Sequence, residues 1–226
     1  MYVGSSPTFP TENDLLLFIY MKKVILLFDF GHGTRYYTAG KRSPDQTLFE
    51  GEWNREVGRM IVNEMRLLGV DCRILVPEDQ DIPLYERCNR ANKIIKDNPD
   101  AQCYFISVHI NAGPGSGWCD ATGWTVYTYN GGASSESRRL ALTLYSIAKK
   151  FGLQGNRNVP KEGYWQANYA VLRGTNCPAV LTENLFMTNK KECEFLKSKK
   201  GKETIVNLHV AGLCEFLGIP YAFVIA

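Results

Sequence analysis

The stretch that decides the fold is residues 22–33, KKVILLFDFGHG, in which an apolar run ends in an acidic residue and a Gly-His-Gly turn. Residues 22–28 have the length of a strand, and the continuous apolar run over residues 24–28 is typical of a strand that is buried on both faces. The glycines at positions 31 and 33 allow a sharp turn that leaves the ring of His32 accessible. This stretch therefore predicts a buried strand with a functional turn at its carboxyl end.

Beyond this strand, short β-rich runs alternate with longer helical patterns, which is the order that produces a parallel sheet covered by helices. In residues 51–68 the apolar positions follow helical spacing, and Gly69 stands where a C-cap glycine belongs. We expect an α/β fold: a single domain with a mostly parallel twisted sheet flanked by helices on both faces. The predicted strands are residues 22–28, 71–76, 103–109, 123–129, 170–173 and 179–183, and the predicted helices are residues 51–68, 84–97, 134–151, 190–196 and 202–217.

The composition is that of an ordinary soluble globular protein of one domain, with 226 residues, 45% of them hydrophobic and 22% charged. The formal net charge of +3 is too small to predict a nucleic-acid surface. We expect a catalytic domain over residues 21–221, preceded by an N-terminal extension over residues 1–20 and followed by a tail over residues 222–226.

The cysteines and the apolar runs indicate the cellular compartment in which the protein is expected. The chain has seven cysteines, and none lies in a Cys-x-x-Cys pair, so free thiols in a reducing compartment are expected. Residues 1–20 carry no basic segment of the kind that opens an export signal. No apolar run approaches the ~20 residues that span a bilayer. We expect a protein without a membrane span that is cytoplasmic as synthesised.

Histidine is scarce, because the chain has only His32, His109 and His209. His32 and His109 each follow a predicted strand and precede small residues, and ligands collect at the carboxyl ends of strands in such sheets. Both rings are therefore expected at one edge of the sheet. His209 lies within the last predicted helix and is interpreted as structural.

Two histidines and a carboxylate form a known zinc set that leaves one position open for water. The acidic candidates are Glu50, Glu52 and Glu56, at the start of the first long helix, and helical phase does not select among them. Glu183 closes an apolar strand on the same expected edge, where apolar neighbours raise the pKa of a carboxyl group and suit it to proton transfer.

Six motifs in a fixed order resemble the zinc-dependent N-acetylmuramoyl-L-alanine amidases of the Amidase_3 type, over residues 24–217. They are Gly31-His32-Gly33, a glutamate that opens the next helix, Leu84-x-x-Arg87-x-x-x-Ala91-Asn92, Ser107-x-His109-x-Asn111-Ala112, Asn156-Arg157-x-Val159, and Pro178-Ala179-Val180-Leu181-x-Glu183 followed by Phe186 and Asn189.

The resemblance implies that His32, one glutamate and His109 bind Zn²⁺ and that Glu183 is the catalytic glutamate. Matching the family's helix-opening glutamate selects Glu52 as the third metal ligand. The implied reaction is hydrolysis of the amide bond between N-acetylmuramic acid and L-alanine in peptidoglycan, with peptidoglycan or a muropeptide as substrate. Asn111 and Arg87 would position substrate or brace the site.

Three positions depart from the family pattern. Phe30 replaces a proline, residues 34–37 replace an acidic glycine-rich stretch, and residues 184–185 replace a glycine after the catalytic glutamate. They leave two alternatives open: a zinc hydrolase of soluble muropeptides or a related amide, and a non-catalytic wall-binding module of the same fold. An unexported wall amidase would act after release, as a phage-type lysin does, or on recycled muropeptides. The wall chemistry and the oligomeric state are not determined by the sequence.

Overall fold

The computed structural model describes residues 23–221, and these form an α/β domain around one sheet. Within this range the strands are β1 (Val24–Phe30), β2 (Asp71–Ile74), β3 (Gln102–Asn111), β4 (Thr125–Tyr129), β5 (Trp165–Ala167) and β6 (Ala179–Phe186). Their order across the sheet is β2-β1-β3-β6-β4-β5. Strands β2, β1, β3 and β6 are parallel, whereas β4 runs antiparallel to β6 and β5 runs parallel to β4. The expected mostly parallel sheet is confirmed.

Helices cover both faces of the sheet, as predicted. The helices of the described residues are α1 (Glu50–Leu67), α2 (Leu84–Asp97), α3 (Ser135–Lys150), α4 (Ala170–Arg173), α5 (Lys190–Lys197) and α6 (Lys199–Leu217). Helices α1, α3, α5 and α6 contribute to the core on one face, and α2 and α4 contribute to the core on the other.

Strand β1 shows why this sequence forms an interior strand. Leu26 and Phe28 point into the larger core, and Ile25 and Leu27 point into the smaller one, each of them fully buried. Alternate side chains face opposite sides of a sheet, so a strand with helices on both sides must be apolar at every position. The carboxyl ends of β1, β3 and β6 consequently meet at one edge of the sheet.

The prediction of a strand over residues 170–173 is wrong, because these residues form the single helical turn α4. The neighbouring strand β5, which begins at Trp165, was not predicted. Val171 and Leu172 bury their side chains in the smaller core, and a helical turn achieves this as well as a strand. A run of three apolar residues does not distinguish the two conformations.

The remaining predicted elements are present, with ends that differ by a few residues. The extension predicted over residues 1–20 and the tail over residues 222–226 lie outside the described residues, as does position 22 of the first predicted strand. Among the residues that are described, no helix combines the length and the apolar character needed to cross a membrane.

Candidate metal centre

The turn after β1 brings His32 to the edge of the sheet. His32 has a left-handed backbone conformation, with φ of 59°, and Gly31 donates a backbone hydrogen bond of 3.1 Å to Val108 on β3. A Cβ atom on Gly31 would overlap the imidazole of His109. The glycine is therefore required for the two histidines to lie side by side, with their ring centroids 5.1 Å apart and their planes at 89°.

Glu50, the first residue of α1, lies between the two histidines. Its Oε1 is 3.0 Å from Nδ1 of His109, and its Oε2 is 3.5 Å from Nε2 of His32. Oε1 also accepts a hydrogen bond of 3.1 Å from the backbone N–H of Ile110. The Glu50 side chain is only 3% exposed, so the carboxylate is held by these partners rather than by solvent.

The three side chains form a set of metal-ligand atoms. One nitrogen from each of His32 and His109 and one oxygen from Glu50 lie within 4.8 Å of one another. Two imidazoles and one carboxylate are a donor set that zinc prefers, with a further position open to water or substrate. Burial lowers the pKa of His32 to about 4, so its imidazole is neutral at pH 7 and its lone pair is available to a metal.

The structure corrects the choice of Glu52 as the third ligand. The Glu52 carboxylate instead pairs with the guanidinium of Arg35, at 2.6 Å from both Nε and Nη2. Glu56 likewise pairs with Lys202, 2.6 Å from its Nζ. Successive helical residues are about 100° apart, so a glutamate two positions after Glu50 points away from the histidines. The signal in the sequence was Gly51, which lets the helix start approach the Gly-His-Gly turn.

A buried chain of hydrogen bonds lies behind His109 and was not recognised from the sequence. Ser107 Oγ donates to Asp29 Oδ2 at 2.6 Å and lies 3.1 Å from Nε2 of His109. Asp29 Oδ1 in turn accepts from Nη1 of Arg87 at 2.7 Å, and both side chains are 1% exposed. Ser107 and Asp29 occupy partnered positions of β3 and β1, which is the register that such a contact needs.

These hydrogen bonds of Ser107 and Asp29 determine which nitrogen of His109 faces the cluster. Because the Ser107 proton is directed to Asp29, the hydroxyl accepts from Nε2–H of His109, and Nδ1 is left towards Glu50. Burial by itself lowers the pKa of His109, but the hydrogen bond to Glu50 and the charges of Glu50, Glu183 and Asp29 together outweigh burial and raise this pKa. A metal that binds at Nδ1 therefore displaces a proton shared with Glu50.

Glu183 lies beside the cluster on the neighbouring strand. It is paired with His109 in the register of β3 and β6, on the same face of the sheet. Its Oε2 is buried and has no hydrogen-bond partner among the described residues. Burial, reinforced by the nearby Glu50 charge, raises the pKa of Glu183 to about 7. Glu183 thus presents a free carboxyl oxygen at the position predicted for an acid-base group.

His209 lies within α6, on the opposite face of the sheet from the cluster, and its side chain is fully buried against the larger core. Its Nδ1 is 2.9 Å from the carbonyl oxygen of Ile205, and its Nε2 is 3.1 Å from Oγ1 of Thr182. Burial lowers its pKa to about 4.

Two of the departures from the family pattern are accommodated within the fold. Phe30 is buried, and its ring fills the space left by Gly58 on α1. Asn184 accepts a hydrogen bond from Nε1 of Trp124 and donates one to the carbonyl oxygen of His109. In the third departure, residues 34–37, Tyr36 and Tyr37 are exposed.

Comparisons with known proteins agree with this geometry. Residues 26–215 match the family Amidase_3, described as N-acetylmuramoyl-L-alanine amidase. The chain is 29% identical to the endolysin of Bacillus phage SPP1, an alignment that covers 88% of this chain and 68% of the endolysin. It is 30% identical to the N-acetylmuramoyl-L-alanine amidase CwlM of Bacillus licheniformis, over 85% of this chain and 68% of CwlM. The crystal structure of an N-acetylmuramoyl-L-alanine amidase from Clostridium difficile 630 superimposes with a TM-score of 0.72 and 25% identity, covering 88% of this chain and 98% of that one.

Proposed function

The chain belongs to Amidase_3, the family of N-acetylmuramoyl-L-alanine amidases, and we propose that it hydrolyses the amide bond between N-acetylmuramic acid and L-alanine of peptidoglycan with zinc as its cofactor. We assign zinc binding to His32, Glu50 and His109, and proton transfer to Glu183. The observation that carries this proposal is the position of Glu183, whose buried, unpartnered carboxyl oxygen lies beside a His-Glu-His set of donor atoms.

The donor set fits zinc by its chemistry. It contains two nitrogen ligands and one oxygen ligand, and Ser107 orients the second nitrogen of His109, as is common around metal-binding histidines. When bound, zinc supplies a Lewis acid that polarises the scissile carbonyl and lowers the pKa of water towards ~7.

Glu183 performs the proton transfers. Its carboxylate accepts a proton from the attacking water and delivers that proton to the departing amine of L-alanine. A carboxyl group with a pKa of about 7 is suited to both steps near neutral pH, since it takes up and releases a proton at similar free energy.

The domain proposed for this activity is residues 21–221, and its site of action is the cell wall. Two similar proteins support this location, since one is an endolysin and the other is an N-acetylmuramoyl-L-alanine amidase. The described part of the domain contains the whole assigned site, and peptidoglycan or a soluble muropeptide would enter at the carboxyl edge of the sheet.

The decisive experiment combines metal analysis with product analysis. Purified protein is incubated with peptidoglycan and, separately, with soluble muropeptides, with and without a chelator, and the products are identified by mass spectrometry. We expect release of peptides with a free N-terminal L-alanine, loss of release with chelator, and recovery on addition of zinc. Products from soluble muropeptides alone would favour the narrower substrate class.

A non-catalytic role is separated by Glu183→Ala. If the protein is a wall-binding module, the parent and the variant bind peptidoglycan equally and neither releases product. Activity of the parent that is absent from the variant rules that role out.

A further inference from the structure

Arg157 contacts β4 and β5, which lie on the other side of β6 from β3 and β1, and the proposed reaction does not yet use it. It belongs to the loop between α3 and β5, where its guanidinium stands 5.3 Å from the ring of Trp165 and 5.9 Å from the ring of Phe186. Its Nη1 donates a hydrogen bond of 3.1 Å to the hydroxyl of Tyr127. These contacts hold the guanidinium plane in a defined place.

Arg157 is half-buried and lacks a counter-ion within the described residues. No carboxylate oxygen of residues 23–221 forms an ion pair with it, whereas the buried Arg87 is paired with Asp29 and Asp81. A guanidinium has five N–H donors, and one of them is used in a hydrogen bond to Tyr127 within the same range. A half-buried guanidinium with free N–H donors in one plane can donate two parallel hydrogen bonds to the carboxylate of a ligand.

The position of this cation is beside the reacting groups. Tyr127, which Arg157 holds, is partnered with Leu181 of β6, two residues before Glu183 and on the same face of the sheet. The ring of Tyr169 packs against that of Tyr127, with the ring centroids 5.4 Å apart. Tyr169 is 37% exposed, so its ring is accessible to a ligand. The charge of Arg157 also lowers the pKa of Glu183, although burial has the larger, opposite effect.

We propose that Arg157 binds a carboxylate in the peptide part of the substrate, a specificity that rests on the proposed amidase function. The lactyl carboxyl of N-acetylmuramic acid is consumed in the scissile amide and is neutral, so the carboxylates near the scissile bond belong to the peptide. The peptide then lies over Tyr127 and Tyr169, and the glycan lies towards His32.

The test uses a pair of substrates and three variants. The substrates are N-acetylmuramoyl-L-alanyl-glutamate with both carboxylates free and the same compound with both as carboxamides. Arg157→Met keeps much of the stacking surface but removes the charge, and Arg157→Lys keeps the charge. The control is Arg173→Met, which removes an exposed arginine at the end of helix α4 whose side chain donates a hydrogen bond to Asn168.

We expect the parent to have a KM for the acid that is about 10- to 100-fold lower than for the diamide, as a charge-assisted hydrogen bond predicts. Arg157→Met should raise the KM for the acid until the ratio is near unity, Arg157→Lys should retain part of the preference, and Arg173→Met should retain all of it. Thermal unfolding of each variant shows whether the loop is intact.

Equal KM values for both substrates in the parent, or an unchanged ratio in Arg157→Met, overturn the role of Arg157 and leave the amidase function standing. A parent that cleaves neither substrate nor peptidoglycan overturns the amidase function and this inference with it.

Discussion

At the scale of single residues, the geometry of the His32, Glu50 and His109 cluster depends on the side chains behind it as much as on its three members. His109 is oriented by Ser107, Ser107 by Asp29, and Asp29 by the buried Arg87. Arg87 also donates to the carbonyl oxygens of Phe30 and Ile82, which satisfies most of its donors. A charge buried this deeply is tolerated only when it is paired and hydrogen-bonded. Arg87 therefore supports the site by fixing the position of Asp29.

The assignment of the third ligand is tested by two glutamates that are two residues apart. Glu50→Gln should lose bound zinc and amidase activity, because an amide is a poor ligand and would face two imidazoles. Glu52→Gln removes only a half-exposed ion pair with Arg35, and this variant should retain bound zinc and amidase activity. Metal content by mass spectrometry and peptidoglycan digestion measure the outcome. Zinc loss in Glu52→Gln alone would restore the choice made from the sequence.

Ser107→Ala tests the orientation of His109. Loss of a residue that supports a ligand typically lowers metal affinity by about 10- to 100-fold, and we expect this change with the fold intact. Zinc affinity is measured by competition with a chromogenic chelator, and Ser116→Ala, on an exposed loop, is the control. An unchanged affinity would show that Glu50 alone orients the ring.

Glu183→Gln separates catalysis from metal binding. The variant should retain zinc, since Glu183 is not part of the His-Glu-His set, while kcat falls by about 100- to 10,000-fold through loss of proton transfer. Loss of zinc together with activity would place Glu183 among the ligands instead.

At the scale of elements, the start of helix α1 is docked onto the turn after β1. Asn54 donates to the carbonyl oxygen of Gly31 at 3.1 Å, and Arg55 donates to that of His32 at 2.7 Å. Gly51 lies against Gly33 so closely that a Cβ atom would overlap the Gly33 carbonyl. Helix and turn therefore act as one unit that sets the distance between Glu50 and His32.

Gly51→Ala should separate these two elements. Overpacking typically costs about 1–3 kcal/mol of stability, and here it should also weaken zinc binding because Glu50 moves with the helix. Gly40→Ala is the matched control, since a Cβ atom at that position has open space around it. Thermal unfolding and zinc competition are measured for both variants. Equal behaviour of the two would mean that the helix start adjusts without moving Glu50.

At the scale of the whole molecule, His209 makes stability depend on pH. It joins α6 to β6 in the larger core, and the carbonyl of Ile205 can only accept, so Nδ1 carries the proton and Nε2 accepts from Thr182. Burial lowers the pKa of His209 from 6.5 to about 4. Between these values the unfolded chain binds a proton that the folded chain does not, so stability falls as pH falls.

We expect the free energy of unfolding to decrease from pH 7 to pH 5 in the parent, and to decrease less in His209→Gln. The shift corresponds to a few kcal/mol over the full window, roughly 1.4 kcal/mol per pKa unit. Urea denaturation at each pH measures it, and the difference between the two curves isolates His209 from other buried groups. Parallel curves would contradict the lowered pKa.

The positions of His32 and His109 could be predicted from residue order alone. Each follows an apolar run, and the carboxyl ends of parallel strands meet at one edge whatever the details of packing. The same reasoning placed Glu183 beside them, whereas the position of His209 within a predicted helix indicated a structural role. The family motifs that surround His32, His109 and Glu183 supplied the chemistry.

The tertiary structure alone decided those features for which the sequence offers several equivalent candidates. Glu50, Glu52 and Glu56 lie in one short segment, and the docking of the helix start onto the turn after β1 determines that Glu50 faces the histidines. The buried link between Asp29 and Ser107 depends on strand register, which is set by hydrogen bonds between distant segments. For residues 165–173, local preference is too weak to separate a strand from a helical turn. Only the tertiary structure distinguishes residues 165–167, which pair with β4, from residues 170–173, which form a helical turn.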